Sequence, residues 1–268
     1  MAHVLSIQDL SCLGKCSLTV ALPVLSAMGC TCTPLPTAVL SSHTAFPAPY
    51  VRSMTDAIAP IADHWKACGV CFDAVSVGYL SDPEQAAAVE AVLDSFPGVK
   101  IIDPAMGDHG KLYSGLSQGQ VSAMAQLCKK GNILLPNITE AALLTGLPYR
   151  QQPDKAYCRE LLDGMLSFGA DAAILTGACA EPGKTGFACK NKDGEEFFYQ
   201  TELLPGQHHG TGDLFAAVFT GATALGKPLT KAATLAAGFV ETVIRATPEE
   251  SPFGVNFECC LPRLWEQR

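Results

Sequence analysis

The sequence predicts an α/β fold with a mostly parallel central sheet, organised as a single domain over residues 1–268. Short apolar segments typical of buried strands alternate along the chain with longer segments of helical periodicity. Polar residues directly follow the apolar segments, as they do in open parallel sheets that bind ligands at the carboxyl ends of their strands. No repeat, charged tail or long linker divides the 268 residues, a length that one such domain can fill.

Composition narrows the class of protein. Hydrophobic residues make up 48% and charged residues 16% of the chain, and no apolar run has transmembrane length, so we expect a globular protein without a membrane partner. The net charge of -8 argues against nucleic acid as a partner, because an acidic surface repels phosphate backbones. The first residues lack a basic region followed by a long apolar segment, so we expect a cytoplasmic location.

The twelve cysteines need a separate interpretation. Cys68 and Cys71 form a Cys-x-x-Cys pair, but no second pair with that spacing occurs, so a zinc site is not expected. In a reducing compartment cysteines usually serve as small hydrophobic residues, and we therefore expect thiols.

The first part of the chain predicts a strand, a helix and an extended segment. Residues 4–7 are apolar and β-prone, and they lead into a polar turn at Asp9. Residues 17–28 have helical periodicity and stop at a glycine, which suits a helix end. Residues 30–40 are extended and interrupted by two prolines. The polar cluster 41–44 that follows either lines a pocket or is an ordinary hydrophilic loop.

The middle of the chain repeats the alternation of strand and helix. The predicted elements are helix 52–65, strand 74–77, helix 82–93 and strand 99–102. Asp82 and Pro83 are residue types favoured at the start of a helix. Tyr79 follows the first of these strands, and Asp103 and Asp108 follow the second, which adds polar groups to the same edge of the sheet.

The second half predicts further strands and two more helices. The predicted elements are strands 133–135, 172–175, 185–189 and 196–201 and helices 228–245 and 257–265. A polar turn joins the last two strands, so they form an antiparallel hairpin at the sheet edge. Thr176 follows one strand, and Asn137 and Glu140 follow another. Asn137 and Glu140 either form a capping box at a helix start or contact a ligand.

Residues 207–213 precede the apolar segment 214–219 and predict a tight turn that enters a helix. The amides of Gly210, Thr211 and Gly212 would then lie at a helix N-terminus, where unpaired N–H groups and the helix dipole attract a phosphate. Asp213 either stabilises the first turn of that helix or serves as the base in phosphoryl transfer. The P-loop and dinucleotide motifs are not present in the sequence.

Several separated segments together resemble the vitamin B6 (pyridoxal/pyridoxamine/pyridoxine) kinases of the ribokinase-like superfamily. They are Ile7-Gln8, Ser41-x-His43-Thr44, Gly78-Tyr79, Asp103-Pro104-x-Met106-Gly107, Pro136-Asn137-x-x-Glu140 and Gly210-x-Gly212-Asp213. The resemblance spans nearly the whole chain. It implies a three-layer α/β/α fold and ATP-dependent phosphorylation of the 5′-hydroxyl of pyridoxamine, pyridoxal or pyridoxine.

The resemblance also implies roles for individual residues. Asp213 would be the catalytic base, with an anion hole formed by the turn that precedes it. Residues implied at the nucleotide are Asp103, Asn137, Glu140, Thr176 and Thr211. Mg²⁺ would be held by Asp103, Asp108 and Glu140, directly or through water, because this ion prefers oxygen ligands. A requirement for a monovalent cation such as K⁺ stays open. Family members are commonly homodimers, and residues 107–113 would flank a mobile cover over the reactants.

On the substrate side, the resemblance places Asp9, Thr44 and Tyr79 around the pyridine ring, with His43 beside them and Asp213 at the reacting hydroxyl. Many members have serine where this chain has Asp9, and a carboxylate there would pair with a protonated ring nitrogen. Some members have lysine in place of Thr176. The alternatives are a hydroxymethylpyrimidine kinase of the same superfamily and a non-catalytic binder of a vitamer. The Ser-x-His-Thr and Gly-Tyr segments favour the B6 kinases.

Overall fold

The computed structural model of the chain describes residues 1–178, 181–206, 208–248 and 251–266. Its strands are β1 (His3–Ser11), β2 (Thr31–Leu40), β3 (Val51–Ser53), β4 (Ala74–Val77), β5 (Val99–Ile102), β6 (Gly107–Asp108), β7 (Lys111–Leu112), β8 (Ile133–Leu134), β9 (Ala172–Thr176), β10 (Lys184–Asn191) and β11 (Glu196–Glu202). Its helices are α1 (Leu18–Ala27), α2 (Thr55–Ala67), α3 (Gln85–Ser95), α4 (Gln118–Cys128), α5 (Ile138–Thr145), α6 (Lys155–Leu166), α7 (Thr211–Ala224), α8 (Leu229–Ala246) and α9 (Pro262–Trp265).

Nine of the strands form one sheet in the order β11-β10-β9-β8-β5-β4-β1-β2-β3. The central pairs from β9 to β2 are parallel, whereas β10 and β11 at one edge and β3 at the other are antiparallel. Strands β6 and β7 form a separate small hairpin. The mostly parallel sheet and the antiparallel edge hairpin confirm the predicted fold class.

The sheet is buried on both faces, which produces the three layers. Along β1, Val4 packs into the core beneath α1, α7 and α8, and the next residue, Leu5, packs into the core beneath α2 to α6. Ala74 and Val75 in β4 alternate in the same way. Because successive side chains of a strand point to opposite faces, a strand covered on both sides is a continuous apolar run. This is why the central strands were recognisable from sequence.

Two predicted elements at the β2 edge need correction. The prolines Pro34 and Pro36 do not interrupt β2, where they align with Ser6 and Gln8 of β1. Within the described chain β3 pairs only with residues 38–40 of β2, so the side of β2 away from β1 is an open edge at the prolines, which is where sheets tolerate proline. Arg52, predicted to begin a helix, lies in β3 instead, and α2 begins at Thr55.

The ends and connections of the chain also differ from expectation. The predicted helix 257–265 is split into a 3₁₀ turn at Glu258–Cys260 and the short α9. Helices α4 and α6 were not predicted, and both pack into the core on the α2 to α6 side. Among the described helices, none is long and apolar enough to cross a membrane.

Candidate active site

A cleft of about 150 Å³ lies where the carboxyl end of β1 meets the start of α7. It is lined on one side by Asp9 and on the other by Gly210 and Asp213, with Tyr79 after β4 and Tyr113 after β7 closing it. In parallel α/β sheets, this end of the strands is where ligands bind. The chain therefore gathers its candidate substrate residues and its candidate base around one small opening.

A second, larger groove of about 650 Å³ lies at the opposite end of the sheet. It is bordered by Val99, Ile133 and Ala172, which stand at the amino ends of β5, β8 and β9. Asp171, on its rim, is paired with Lys192 at 2.8 Å. This groove holds none of the predicted site residues, so we place the candidate site at the carboxyl-end cleft.

The turn before α7 has the geometry of an anion site. Gly210 adopts a left-handed conformation, with φ 85° and ψ 3°, as the residue before the helix. The hydroxyl of Thr211 donates to the carbonyl oxygen of His208 at 3.1 Å, which fixes the turn. The first amides of a helix have no partner within it, and α7 is fourteen residues long, so its N-terminus presents N–H groups and partial positive charge. Over residues 208–213 the predicted turn and helix start are thus both present, while Gln207 lies outside the described residues.

Asp213 lies in the first turn of α7 and its side chain reaches the cleft. Its carboxylate accepts hydrogen bonds from its own backbone N–H and from that of Ser17. Burial raises the pKa of Asp213 to about 7, and the nearby charge of Asp9 adds to the effect. A carboxylate with a pKa near neutrality is suited to act as a general base at physiological pH.

Asp9 is buried, with 3% of its surface exposed, at the end of β1. The hydroxyl of Ser11 donates to its Oδ2 at 2.8 Å, and the Ser17 side chain also bonds to it. Burial raises the pKa of the Asp9 carboxyl, and these hydrogen bonds oppose that rise. Across the cleft, burial and the charge of Asp9 raise the pKa of Tyr79 to about 12, so the phenol is neutral. The residues predicted at the substrate all line this cleft: Asp9, His43, Thr44, Tyr79 and Asp213.

His43 is held on both sides of its ring. The backbone N–H of Ala45 donates to Nδ1 at 3.3 Å, so Nε2 carries the proton and donates to the carbonyl oxygen of Pro252 at 3.3 Å. Burial lowers the pKa of His43, consistent with a neutral ring. Because both nitrogens have protein partners, His43 joins the loop after β2 to the C-terminal segment and offers a ligand mainly its ring surface.

On the nucleotide side, Asn137 and Glu140 form the capping box of α5. Glu140 accepts from the backbone N–H groups of Asn137 at 2.8 Å and Met106 at 3.2 Å. The Asn137 amide donates to the carbonyl oxygen of Gly107 at 2.9 Å. Asn137 and Glu140 therefore cap the helix, which was one of the two predicted roles. Their bonds to Met106 and Gly107 also attach the start of the β6–β7 hairpin to α5.

The acidic residues near the nucleotide side are not equally placed. Burial and the charge of Asp213 raise the pKa of Asp103 to about 8, and no donor among the described residues lowers it. Burial and the charge of Asp103 raise the pKa of Glu140. Asp108 instead is exposed on β6, where its Oδ1 accepts from the N–H of His109 at 2.7 Å. The described residues contain no group of three or more acidic, histidine or cysteine side chains arranged to hold a metal ion.

Thr176 ends β9 directly beside Asn137, with which it forms a parallel bridge. Its hydroxyl lies 3.5 Å from the carbonyl oxygen of Pro136. The residue is thus at the carboxyl edge of the sheet, as predicted, on the side of Asn137.

Ser17 is a site residue that the sequence did not reveal. It has φ 48° and ψ −127°, a conformation that costs a non-glycine residue free energy. It stands immediately before α1, where serine usually caps a helix, but its side chain makes no capping bond. Its N–H instead donates to Asp213 and its side chain bonds to Asp9. From the sequence, Ser17 was only the first residue of the predicted helix 17–28.

Comparison with known proteins shows that this chain is similar to kinases. Residues 21–255 match the family model of phosphomethylpyrimidine kinase. The pyridoxine/pyridoxal/pyridoxamine kinase of Bordetella pertussis is 30% identical over 262 residues, which cover 92% of this chain and 89% of that protein.

Two crystal structures are similar over nearly the full length. Pyridoxal kinase from Lactobacillus plantarum has 31% identity and a TM-score of 0.92, covering 100% of this chain and 98% of that one. A Bacteroides thetaiotaomicron protein assigned to the phosphomethylpyrimidine kinases was crystallised with pyridoxal. It has 33% identity and a TM-score of 0.93, covering 98% of this chain and 95% of that one.

Proposed function

Because the chain belongs to the phosphomethylpyrimidine kinase family, we propose that it transfers the γ-phosphate of ATP to the 5′-hydroxyl of a vitamin B6 vitamer. The observation that carries this proposal is the cleft in which Asp213 and the turn before α7 face Asp9 and Tyr79. The Bordetella relative and the pyridoxal complex of the Bacteroides protein support a B6 vitamer as the acceptor.

In the proposed reaction, the flat pyridine ring packs against Tyr79 and its nitrogen faces Asp9. The hydroxymethyl group then points to Asp213, which removes the hydroxyl proton as the oxygen attacks phosphorus. The amides at the start of α7 hold the negative charge of the phosphoryl group in transit. Phosphoryl transfer depends mainly on positioning and charge stabilisation, so a base with a pKa near 7 suffices.

Mg²⁺ fits the nucleotide side of this site. Asp103 is a half-buried carboxylate without a hydrogen-bond donor among the described residues, and it shares its surroundings with Asp213 and Glu140. A cation would offset this concentration of negative charge. We propose that Asp103 holds Mg²⁺ directly or through water, with Glu140 contributing through water because its oxygens already accept backbone hydrogen bonds. When bound, the ion neutralises charge on the nucleotide phosphates.

The proposal for cell location rests on the cysteines. Within the described residues, eleven cysteines are thiols and no disulfide occurs, which supports the reducing environment of the cytoplasm. The homodimer stays a prediction, which light scattering of the purified protein tests directly.

The test of the proposed function is an acceptor panel. Purified protein would be assayed for ATP-dependent phosphorylation of pyridoxal, pyridoxamine, pyridoxine and hydroxymethylpyrimidine, with Mg²⁺, and with and without K⁺. A 5′-phosphorylated vitamer as the favoured product supports the proposal, and the ratio of kcat/KM values identifies the acceptor. Turnover with the pyrimidine alone would assign the protein to the rival activity. Binding of a vitamer with no turnover of any acceptor would favour the non-catalytic alternative.

Asp9 should determine how the acceptor ring is recognised. We expect Asp9→Ser to raise KM for the preferred vitamer about 10-fold, because a charge-assisted hydrogen bond to the ring nitrogen is lost. Asp9→Asn is the matched control, since it keeps the size and removes the charge. Steady-state kinetics with all three vitamers across pH measures both effects. Unchanged relative kcat/KM values and pH profiles in both variants would contradict this role.

A further inference from the structure

The charge balance of the cleft is unusual for a site that handles phosphate. Its lining includes the carboxylates of Asp9 and Asp213 but, among the described residues, no lysine or arginine. Burial raises the pKa of the other acidic groups that face it, Cys16, Tyr79 and Tyr113, so all three are neutral. A phosphoryl group entering this cleft would therefore meet two carboxylates and, apart from the helix N-terminus, little positive charge.

Lys15 does not supply the missing positive charge. Its carbonyl oxygen lies against Gly210, but its ammonium is directed toward the C-terminal segment. There it bonds to Glu258 at 2.7 Å and to the side-chain oxygen of Asn256 at 3.0 Å, and lies 5.8 Å from the Phe257 ring. The lysine is thus already paired outside the cleft.

The two histidines of the cleft, His43 and His209, lie with ring centroids 5.4 Å apart, and they differ in their bonding. Both nitrogens of His43 have protein partners. His209 is exposed, and within the described chain no group hydrogen-bonds to its ring. Its backbone is fixed, because its carbonyl oxygen accepts from the N–H of Val255 at 3.1 Å. The imidazole therefore stands at the cleft with both nitrogens available, one residue before Gly210.

We infer that His209 donates a hydrogen bond from a ring N–H to the phosphoryl group that is transferred and to the phosphate of the product. This inference rests on the proposed kinase function and adds a contact to it. A hydrogen bond to the charged phosphoryl oxygens, beside the amides of the turn, places a donor where negative charge accumulates during transfer. His43 cannot take this role without giving up one of its two hydrogen bonds to the protein.

The test compares His209→Gln, His209→Lys and His209→Phe in two measurements. The first is kcat/KM for the preferred vitamer, and the second is equilibrium binding of pyridoxal 5′-phosphate and of pyridoxal. We expect His209→Phe, which has no hydrogen-bond donor, to lower kcat/KM by about 10- to 100-fold and to weaken binding of the phosphate ester by a similar factor. Binding of pyridoxal should stay near the wild-type value. His209→Gln and His209→Lys, which keep a nitrogen donor, should retain most of both properties.

His208→Gln is the matched control, because the His208 ring bonds to the carbonyl oxygen of Pro205 at 2.9 Å and does not line the cleft. Melting temperatures of all variants check that each is folded. Wild-type affinity for the phosphate ester in His209→Phe would overturn the inference. Because this binding measurement needs no turnover, it tests His209 even if the wild-type protein phosphorylates no vitamer, an outcome that would instead refute the proposed function.

Discussion

Replacing Asp213 with asparagine should lower kcat for vitamer phosphorylation by about 10²- to 10⁴-fold. Asparagine retains the size of the side chain and can still accept the hydrogen bond from the Ser17 N–H, but it cannot remove a proton from the acceptor hydroxyl. KM for the vitamer should change little, because the ring contacts of Asp9 and Tyr79 remain. Steady-state assays of the wild type and the variant at saturating ATP measure both parameters.

The pH dependence gives this prediction a second readout. The base must be ionised, so wild-type kcat should rise as the pH increases through about 7, the raised pKa of Asp213. The same shift affects stability in the opposite direction. Between the ordinary value of 3.8 and about 7 the folded state holds a proton that the unfolded state has lost, so the Asp213 contribution to stability declines as pH rises.

The asparagine variant avoids that cost. It should therefore melt at a temperature at least as high as the wild type at pH 8, with a smaller difference at pH 4. Thermal unfolding followed by circular dichroism checks this. If the variant loses both activity and melting temperature at pH 8, the loss of kcat reflects a damaged fold and Asp213 is not established as the base.

Alanine at Gly210 should destabilise the protein by about 2–4 kcal/mol and reduce kcat by about 10²-fold. The residue has a φ of 85°, which disfavours any side chain, and an added Cβ would overlap the carbonyl oxygen of Lys15. That oxygen belongs to the backbone and cannot rotate away. The turn must therefore shift, and the amides at the start of α7 shift with it. Urea unfolding and steady-state kinetics measure the two effects.

Substitutions at two other glycines distinguish the effect of backbone strain from that of the contact with Lys15. A Cβ added at Gly212 meets no atom within 4 Å, so Gly212→Ala should leave the free energy of unfolding nearly unchanged. Gly226 has a φ of 80° and also open space, so Gly226→Ala should cost only the backbone strain, about 1 kcal/mol. Equal stability of Gly210→Ala and Gly226→Ala would show that the contact with Lys15 has no energetic weight.

Much of the fold was predictable because local sequence and tertiary structure agree. The central strands are apolar on both faces, and the β10–β11 hairpin has a polar turn between β-prone segments. Strand β3 was missed because three residues carry too little pattern, and its pairing with β2 depends on contacts across the intervening loop. The β6–β7 hairpin has two residues in each strand and is anchored by side chains about thirty positions away.

Site residues were predictable where their position directly after a strand or at the start of a helix is visible in the sequence. Tyr79 was identified because it follows a strand, and Asp213 because it opens a helix after a glycine turn. The predicted polar turn at Asp9 is wrong, since the residue lies within β1, and only the family resemblance pointed to its role. Ser17 was not identified, since its contribution depends on a rare backbone conformation that directs its N–H to one carboxylate and its side chain to another. Asn137 and Glu140 were ambiguous because the same oxygen atoms that suit a cation also cap a helix.

The attachment of the β6–β7 segment to α5 has an energetic consequence. Three hydrogen bonds, from Met106 to Glu140, from Asn137 to Gly107 and from Gly110 to Thr139, must break before this segment can leave the helix. At about 0.5–1.5 kcal/mol each, they favour the attached arrangement by roughly 1.5–4.5 kcal/mol. The protein itself therefore holds the β6–β7 segment in place without any ligand, and ligand binding is not weakened by the cost of ordering this segment.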